Sequence, residues 1–363
     1  MLAGAAGAPI PAAAGAAPPA GLVAAIVPVL DEAERIGPCL EGLIAQPDAL
    51  GSIVVVDGGS RDATRDVVRR FAERDARVRL IDATPVPSGW NGKAWNLSCG
   101  LAASDPSARW IVTIDADVRP RPHLVASLLA HAASSSLDAF SAAPLLELSG
   151  PAEAVIHPAL LATLVYRFGL PGGVARNADA VQANGQVFFV KRDMLIESGA
   201  FSAARASRCD DVTIARCLVR HGARLGFFEG GALSTVRMYA SAAEAWANWP
   251  RSLPMRDAGT KPHVLALQLA EVALVQALPL AAVLAVVLAG GDTRSLFFRT
   301  NLALATARLG VLAGTRRAYA NPGSAYWLAA FADVPAALRL AQAAFAREAV
   351  WRGRALVAGE RAA

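Results

Sequence analysis

From residue 22 onward, short and almost wholly apolar runs alternate with longer stretches whose apolar positions recur at helical spacing. The runs LVAAIVPV (22–29), SIVVVD (52–57), VRLIDA (78–83) and WIVTID (110–115) predict buried strands. Between them, residues 32–45, 62–75 and 93–104 predict helices, the second opened by Asp62, a residue type that caps helix N-termini. Such alternation predicts an α/β domain with a mainly parallel, helix-covered sheet, the default architecture of nucleotide-binding domains. A further strand, QVFFVK (186–191), and a helix over 210–222 extend the same domain, which is expected to run from 22 to 245.

Beyond it the pattern changes. Residues 264–289 are 26 positions with Glu271 as their one charge, long enough for a hydrocarbon core of about 30 Å. Residues 302–314 and 325–345 are also apolar but carry Arg308, and Asp333 with Arg339. They read as further spans packed on the first or as helices lying in the interface; a buried helical bundle is the competing reading and needs a large covering surface. Cations at Arg294, Arg299, Arg316 and Arg317 flank the shorter stretch on both sides, so the positive-inside rule fixes no orientation. The closing WRGR (351–354) pairs an aromatic with cations, as interfacial anchors do. Residues 246–363 are therefore read as a membrane-associated helical region.

Composition agrees: of 363 residues, 54% are hydrophobic and 18% charged, against about 45–50% and about 25% in soluble domains. Mean hydropathy is +0.37. Residues 1–21 hold Ala, Gly and Pro with no cation, which predicts a disordered leader rather than a signal peptide. The net charge of +5 comes mostly from arginine; lysine occurs only at Lys93, Lys191 and Lys261. No basic stretch is interleaved with aromatics, which argues against a nucleic-acid partner. The four cysteines, Cys39, Cys99, Cys209 and Cys217, form no CxxC pair, so they predict reduced thiols rather than a zinc knuckle or a disulfide framework. The chain has no internal repeat.

The candidate chemistry lies where strands end. Asp115 and Asp117 in TIDAD follow an apolar strand, at the edge where α/β ligands bind. Two carboxylates at that spacing can share one Mg²⁺ or Mn²⁺, which would complete its shell with oxygens of a substrate diphosphate. A DxD by itself is weak, since Asp-rich loops more often cap helices; its place after a buried strand adds to it. Asp57 ends the second strand, before GGS (58–60), where glycines admit a ligand to the backbone and a carboxylate can accept from a base or ribose. A strand-to-helix turn accounts for Asp62 but not for Asp57. Neither GxGxxG nor a Walker sequence occurs, so dinucleotide and P-loop sites are not supported.

Taken in order, VAAIVPVLDEAERI, VVVDGGSRDAT, GWNGKAWNLSCG, IVTIDAD, ANGQVFFVKRDML and CDDVTIARCLVRHG resemble the successive motifs of family 2 glycosyltransferases with the GT-A fold, over about residues 22–237. The tail, TRSLFFRTNLALATARLGVLAG with YWLAAFADVPAALRL, is similar to membrane-associated carotenoid glycosyltransferases, with hopanoid-associated and ceramide glucosyltransferase-like enzymes as near neighbours. The resemblance implies a GT-A Rossmann-like nucleotide-sugar-binding domain followed by membrane-associated helices. It places Pro28, Asp31 and Glu32 in the nucleotide pocket, where the family more often has Asn at position 31. It assigns Asp57 to the uracil or ribose, Lys93 to the diphosphate, and Asp115 and Asp117 to the metal. Asp211 matches the catalytic base, with Asp210 in place of the family's Glu.

In that chemistry the metal and Lys93 stabilise the departing diphosphate and Asp211 takes the acceptor's proton. AWANWPRSL (245–253) stands where related synthases carry a Q/RxxRW motif under the acceptor; Trp249 and Arg251 occupy it in reversed order, and Trp246 and Trp249 read equally as membrane anchors. The apolar helix expected over 151–168 packs on the sheet or meets a lipid acceptor, and its His157 reads as structural. The implied function is an inverting, metal-dependent transfer of a hexose, with UDP-glucose the expected donor, to an apolar lipid such as a carotenoid. The catalytic domain is expected at the cell membrane facing the cytoplasm, where the donor is made. The rivals are another lipid or polysaccharide glycosyltransferase of the same family, with a hopanoid, ceramide-like or polyprenyl acceptor, and a non-catalytic nucleotide-sugar-binding membrane scaffold. A nucleotidyltransferase is a weaker third, disfavoured because no Gly-rich, Arg- and Lys-bearing phosphate loop follows the first strand.

Overall fold

A computed structural model describes residues 9–13, 19–255, 260–346, 350, 351, 354 and 355. Residues 1–8 and 14–18 of the expected leader, and Arg352 and Gly353 of the closing WRGR, lie outside the described residues. The chain divides into two units, and not at a single point: Ala6–Leu145 with Pro171–Val236 belong to one, Leu146–Leu170 with Arg237–Arg347 to the other.

In the first unit the four apolar runs become β1 (Val23–Val29), β2 (Leu50–Asp57), β3 (Val78–Asp82) and β4 (Trp110–Ile114). β1 is buried at every position, as expected of a strand covered on both faces. It pairs in parallel with β2 and β4, and β2 with β3. The crossovers are α1 (Ile36–Ile44), α2 (Thr64–Arg74) and α3 (Gly92–Ala103). α3 lies so close to the sheet that a Cβ on Gly100 would overlap Ile26 Cγ2, and glycine is what lets the helix settle there.

Further strands follow: β5 (Val118–Pro120), β6 (Ala139–Ala143), β7 (Leu145–Leu146, at the unit boundary), β8 (Gly173–Val174), β9 (Val187–Lys191), β10 (Leu225–Glu229) and β11 (Ser234–Val236). Only β9 among them was expected; the others are short or, like AFSAA in β6, built of small residues with little period-two contrast. The main sheet runs β3-β2-β1-β4-β9-β6-β10-β8, and β9 enters antiparallel between β4 and β6. An apolar run encodes burial and leaves strand direction open, which is why the mixed sheet had to be read from the structure.

In the second unit, three helices are long and apolar enough to cross a membrane: Pro262–Leu288, Leu296–Ala318 and Ser324–Phe345. The first starts within two residues of the expected 264–289, the second is longer than the expected 302–314, and the third starts one residue before the expected 325–345 and ends with it. Leu267, Leu274, Leu288, Leu296, Phe297, Phe331, Leu338 and Phe345 are exposed on them, an outward apolar surface that suits lipid and disfavours a self-contained buried bundle. The helix Pro151–Phe168 belongs to this unit, where Ala159 and Leu160 pack with Trp249, Val272, Ala336 and Leu340.

Each of the three apolar helices contributes one polar residue to a buried cluster. Arg308, 2% exposed, makes a two-pronged ion pair with Asp333, 1% exposed, at 2.7 Å from Nε and 2.9 Å from Nη2. Gln276 Nε2 donates to the same carboxylate at 2.9 Å and to the carbonyl of Ala159, also at 2.9 Å. Two of the three charges that made the second and third apolar stretches ambiguous in sequence, Arg308 and Asp333, are therefore spent on one another, while Arg339 donates to Gln342 and to the carbonyl of Trp246. Arg308→Met is expected to cost about 3–5 kcal/mol by stranding Asp333, and Arg308→Met with Asp333→Leu to recover most of it. Thermal unfolding in detergent measures both; equal losses in the single and double variants would show that the pair does not carry the stability.

Candidate active site

The carboxyl ends of β1 and β2 are laced together by backbone and side-chain bonds. Asp57, wholly buried, accepts from the N–H groups of Gly59 and Ser60 at 3.0 and 3.1 Å. It also binds Arg65, whose Nε and Nη2 both lie 2.6 Å from Oδ2 and whose Nη2 reaches Asp82 at 3.0 Å. Asp57, expected to read a base or ribose and not explained by the strand-to-helix turn, thus holds that turn as well. Asn96 of α3, buried, donates to the carbonyls of Val29 and Val56 at 3.3 and 3.1 Å; a Cβ on Gly58 would sit 2.9 Å from its amide nitrogen.

After β1 the chain turns through Asp31, whose φ of 54° lies in the left-handed region that Asn and Asp tolerate best. Its carboxylate accepts from Arg61 N–H at 2.7 Å, and its own N–H donates to Ser60 Oγ at 2.9 Å. Glu32 N–H donates to Thr64 Oγ1 at 2.8 Å. Asp62 works further out than expected: α2 starts at Thr64, and Asp62 holds both the Thr64 N–H at 2.9 Å and the Ala33 N–H at 3.0 Å. Pro28 is buried within β1 opposite Val56.

Three elements bring the expected charges together. The Asp115 N–H donates to Gln186 O at 3.1 Å and the Asp115 carbonyl accepts from Val118 N–H at 3.1 Å, a tight turn that carries both aspartates of the DxD. Lys93, in the first turn of α3, places Nζ 2.8 Å from Asp115 Oδ1 and 3.7 Å from Asp210 Oδ2. Asp210 and Asp211 open the helix Asp210–Arg220, where the positive end of the helix dipole favours carboxylates. Asp211 Oδ1 accepts from Val212 N–H at 2.8 Å and from the Cys209 thiol at 3.1 Å; Oδ2 accepts from Gly185 N–H at 3.1 Å.

Burial works against the Lys93 ammonium, but Asp115, Asp210 and Asp211 outweigh it and hold its proton affinity above the ordinary lysine value. Burial first, and Asp210 next, raise the Asp211 carboxyl, while Lys93 and the Cys209 thiol oppose the shift. Asp117 is pushed up to about 7 by burial, then by Asp115 and Glu32, against Arg35 and Lys93. The same carboxylates and its own burial keep the Cys39 thiol protonated, far above its ordinary value.

The site fits a divalent cation: Asp117 Oδ1 is buried and accepts no hydrogen bond, an arrangement that is costly unless something positive comes to it. Among the described residues no three His, Cys, Asp or Glu side chains form a ready-made ligand set. A hard ion held by one or two carboxylates and completed by phosphate and water matches that donor set.

Trp249 and Arg251 lie in the second unit, in the short turn Trp249–Arg251. Trp249 is buried and stacks on His157 with centroids 4.0 Å apart at 25°. His157 Nδ1 lies 3.0 Å from Tyr319 Oη, and burial pushes its proton affinity down to about 3, so it is a neutral packing residue. Sequence reasoning gave no role to Arg65, Asn96, Gly185 and Cys209; the one available signal was a polar Asn96 on the helix face that meets the sheet.

Residues 24–161 match the family described as Glycosyl transferase family 2. A stretch of 58 residues is 40% identical to the succinoglycan biosynthesis protein ExoA of Rhizobium meliloti, covering 16% of this chain and 18% of that one. A stretch of 61 residues is 40% identical to the glycosyltransferase AglE of Haloferax volcanii, covering 16% and 20%. The matched segment thus spans about a fifth of each of these relatives. In structure the chain is similar to a mannosyltransferase of Pyrobaculum calidifontis solved with GDP-Man and Mn²⁺, at a TM-score of 0.51 and 22% identity, covering 86% of this chain and 87% of that one. The shared fold is GT-A.

Proposed function

The glycosyl transferase family 2 domain carried by this chain is the premise from which we propose a membrane-associated, metal-dependent, inverting glycosyltransferase that moves a hexose from a nucleotide sugar, with UDP-glucose the expected donor, to an apolar lipid such as a carotenoid. The observation that carries the reading is the convergence of Lys93, Asp115, Asp117, Asp210 and Asp211 at the N-termini of two helices and the end of β4. The neighbour solved with GDP-Man and Mn²⁺ supports a nucleotide-sugar donor and a divalent cation. The outward apolar residues of the three long helices support membrane association and, with it, a lipid acceptor; the cytoplasmic side is proposed because the donor is made there.

In this reading Asp211 accepts the proton of the acceptor hydroxyl as its oxygen forms a bond to the anomeric carbon. The bond from that carbon to the diphosphate breaks, and the electron pair leaves with the nucleotide. Lys93 meets the negative charge gathering on the leaving diphosphate. A bound Mg²⁺ or Mn²⁺, held by Asp117 and Asp115, would add positive charge at the same oxygens.

Because metal-free Asp117 holds its proton up to about 7, a cation has to displace that proton at lower pH. Mn²⁺ affinity is expected to fall about tenfold for each pH unit below about 7, with proton release at pH 6. Calorimetry in two buffers of different ionisation enthalpy measures the release, and none at pH 6 would remove Asp117 from the ligand set. The function itself is tested with detergent-purified protein, nucleotide sugars, and lipid extract as acceptor. Metal-dependent nucleoside diphosphate release that rises with extract is the expected result. Nucleotide binding without release from any donor would favour the scaffold reading.

A further inference from the structure

Asn184, Gly185 and Gln186 touch both halves of the site, although no sequence reading gave any of them a role. The two outer side chains hold one another: Asn184 Nδ2 donates to Gln186 Oε1 at 2.7 Å, and Gln186 N–H donates to Asn184 Oδ1 at 2.7 Å. The Asn184 N–H anchors the pair to β6 through Ser141 Oγ at 3.0 Å. From this clasp the main chain reaches out in two directions. The Gln186 carbonyl accepts from Asp115 N–H at 3.1 Å, and the Gly185 N–H donates to Asp211 Oδ2 at 3.1 Å.

We infer that Asn184–Gly185–Gln186 is a positioning clasp, which sets the spacing between the aspartates of the DxD turn and the carboxylate of Asp211. Several features make this more than the continuation of a strand pair. The ladder of β4 with β9 ends at Ile114 opposite Val187, so register alone accounts for the Gln186 contact but not for the turn that aims the Gly185 N–H at Asp211. That turn is fixed by the side-chain oxygen Oδ1 of Asn184 accepting from the N–H two residues on, an Asx turn. Position 185 is also close to both charges: a Cβ there would stand 3.0 Å from Lys93 Nζ, tight enough to push the ammonium aside by a few tenths of an ångström, and in van der Waals contact with Asp211 Cβ at 3.5 Å. On its other oxygen Asp211 is held by Val212 N–H and by the Cys209 thiol, which burial and the neighbouring carboxylates keep protonated and hence a donor. The carboxylate is therefore gripped from both sides, and loosening one grip lets it turn. A displacement of about 1 Å in a reacting group can cost on the order of 10² in rate, so the clasp acts on turnover through Asp211.

The inference rests on the reading of Asp211 as the base, and the experiment separates the two. Asn184→Ala breaks both clasp bonds, whereas Asn184→Ser keeps an acceptor for the Gln186 N–H and is the conservative rescue. Asn184→Ala is expected to lower kcat by about 10- to 100-fold, with donor affinity by calorimetry changed less than about threefold, and Asn184→Ser to restore most of the rate. Amide hydrogen exchange in peptides covering 110–118 and 183–190 is expected to quicken in Asn184→Ala and not elsewhere. Unchanged kcat, a loss of donor affinity as large as the loss of kcat/KM, or unchanged exchange around Asp115 would each overturn the clasp. Should Asn184→Ala fail to fold, Gln186→Ala, which removes only the bond from Asn184 Nδ2, carries the test: a fall in kcat and quicker exchange in 110–118 are expected, and wild-type values in both would overturn the clasp. Asp211→Asn run beside them keeps the readings apart: an active Asp211→Asn removes the base assignment, while the exchange measurements still decide the clasp.

Discussion

Asp117→Asn is expected to abolish metal-dependent turnover, a loss on the order of 10³ or more, while leaving the unfolding transition unchanged or slightly raised. The sign on stability follows from the electrostatics of the metal-free site. Asp117 Oδ1 is buried without a partner, and burial together with Asp115 and Glu32 raises its proton affinity to about 7. A group whose folded pKa lies above its unfolded value binds more protons when folded. Its contribution to stability is therefore present at low pH and is lost as pH rises from the ordinary carboxylate range through about 7. Asparagine carries no charge to desolvate, so it removes that loss and removes the metal's anchor along with it. Turnover with saturating Mn²⁺, Mn²⁺ binding and thermal unfolding decide the matter together. A variant that keeps wild-type turnover would take the metal away from Asp117.

Asp211→Asn is expected to cost on the order of 10² to 10⁴ in kcat with donor binding still measurable. The carboxylate stands at a helix N-terminus, accepts from the Gly185 and Val212 N–H groups and the Cys209 thiol, and has Asp210 beside it. Those donors satisfy both oxygens in the resting site while burial and Asp210 raise the proton affinity, which is what a base working near neutral pH needs. An amide in its place keeps one oxygen to accept from the Val212 N–H and the Cys209 thiol, turns an NH2 toward the Gly185 N–H, and cannot take a proton. Calorimetric donor binding beside single-turnover rates separates the roles. Loss of donor binding in proportion to rate would make Asp211 a binding residue and place the base elsewhere.

Much of the sheet was legible because β1, β2 and β4 are buried almost throughout and short enough to be told from helices, and the ends of β2 and β4 mark where Asp57 and Asp115 emerge; β3, also expected to be buried, is the edge strand and keeps only Val78 buried. The DxD turn, Lys93 at the start of α3 and the paired acids at the start of a helix were found as separate local motifs. Asp62 was misplaced because its capping signature is equally satisfied one turn residue earlier, where it also holds Ala33. β6, β10 and β11 went unseen because small or few residues give no period to count.

What the sequence determined by itself is therefore local: which runs are buried, where strands stop, which residues carry charge at those stops, and which stretches are apolar enough for a membrane. Tertiary structure decided what lies across the chain. It set β9 antiparallel to β4, gave Lys93 to both Asp115 and Asp210, and gave the Gly185 N–H to Asp211. It assigned the helix Pro151–Phe168 to the second unit and paired Arg308 with Asp333. The physical reason is that periodicity and capping act within a few residues, whereas a buried charge finds its partner wherever packing brings an opposite charge or a free N–H to it.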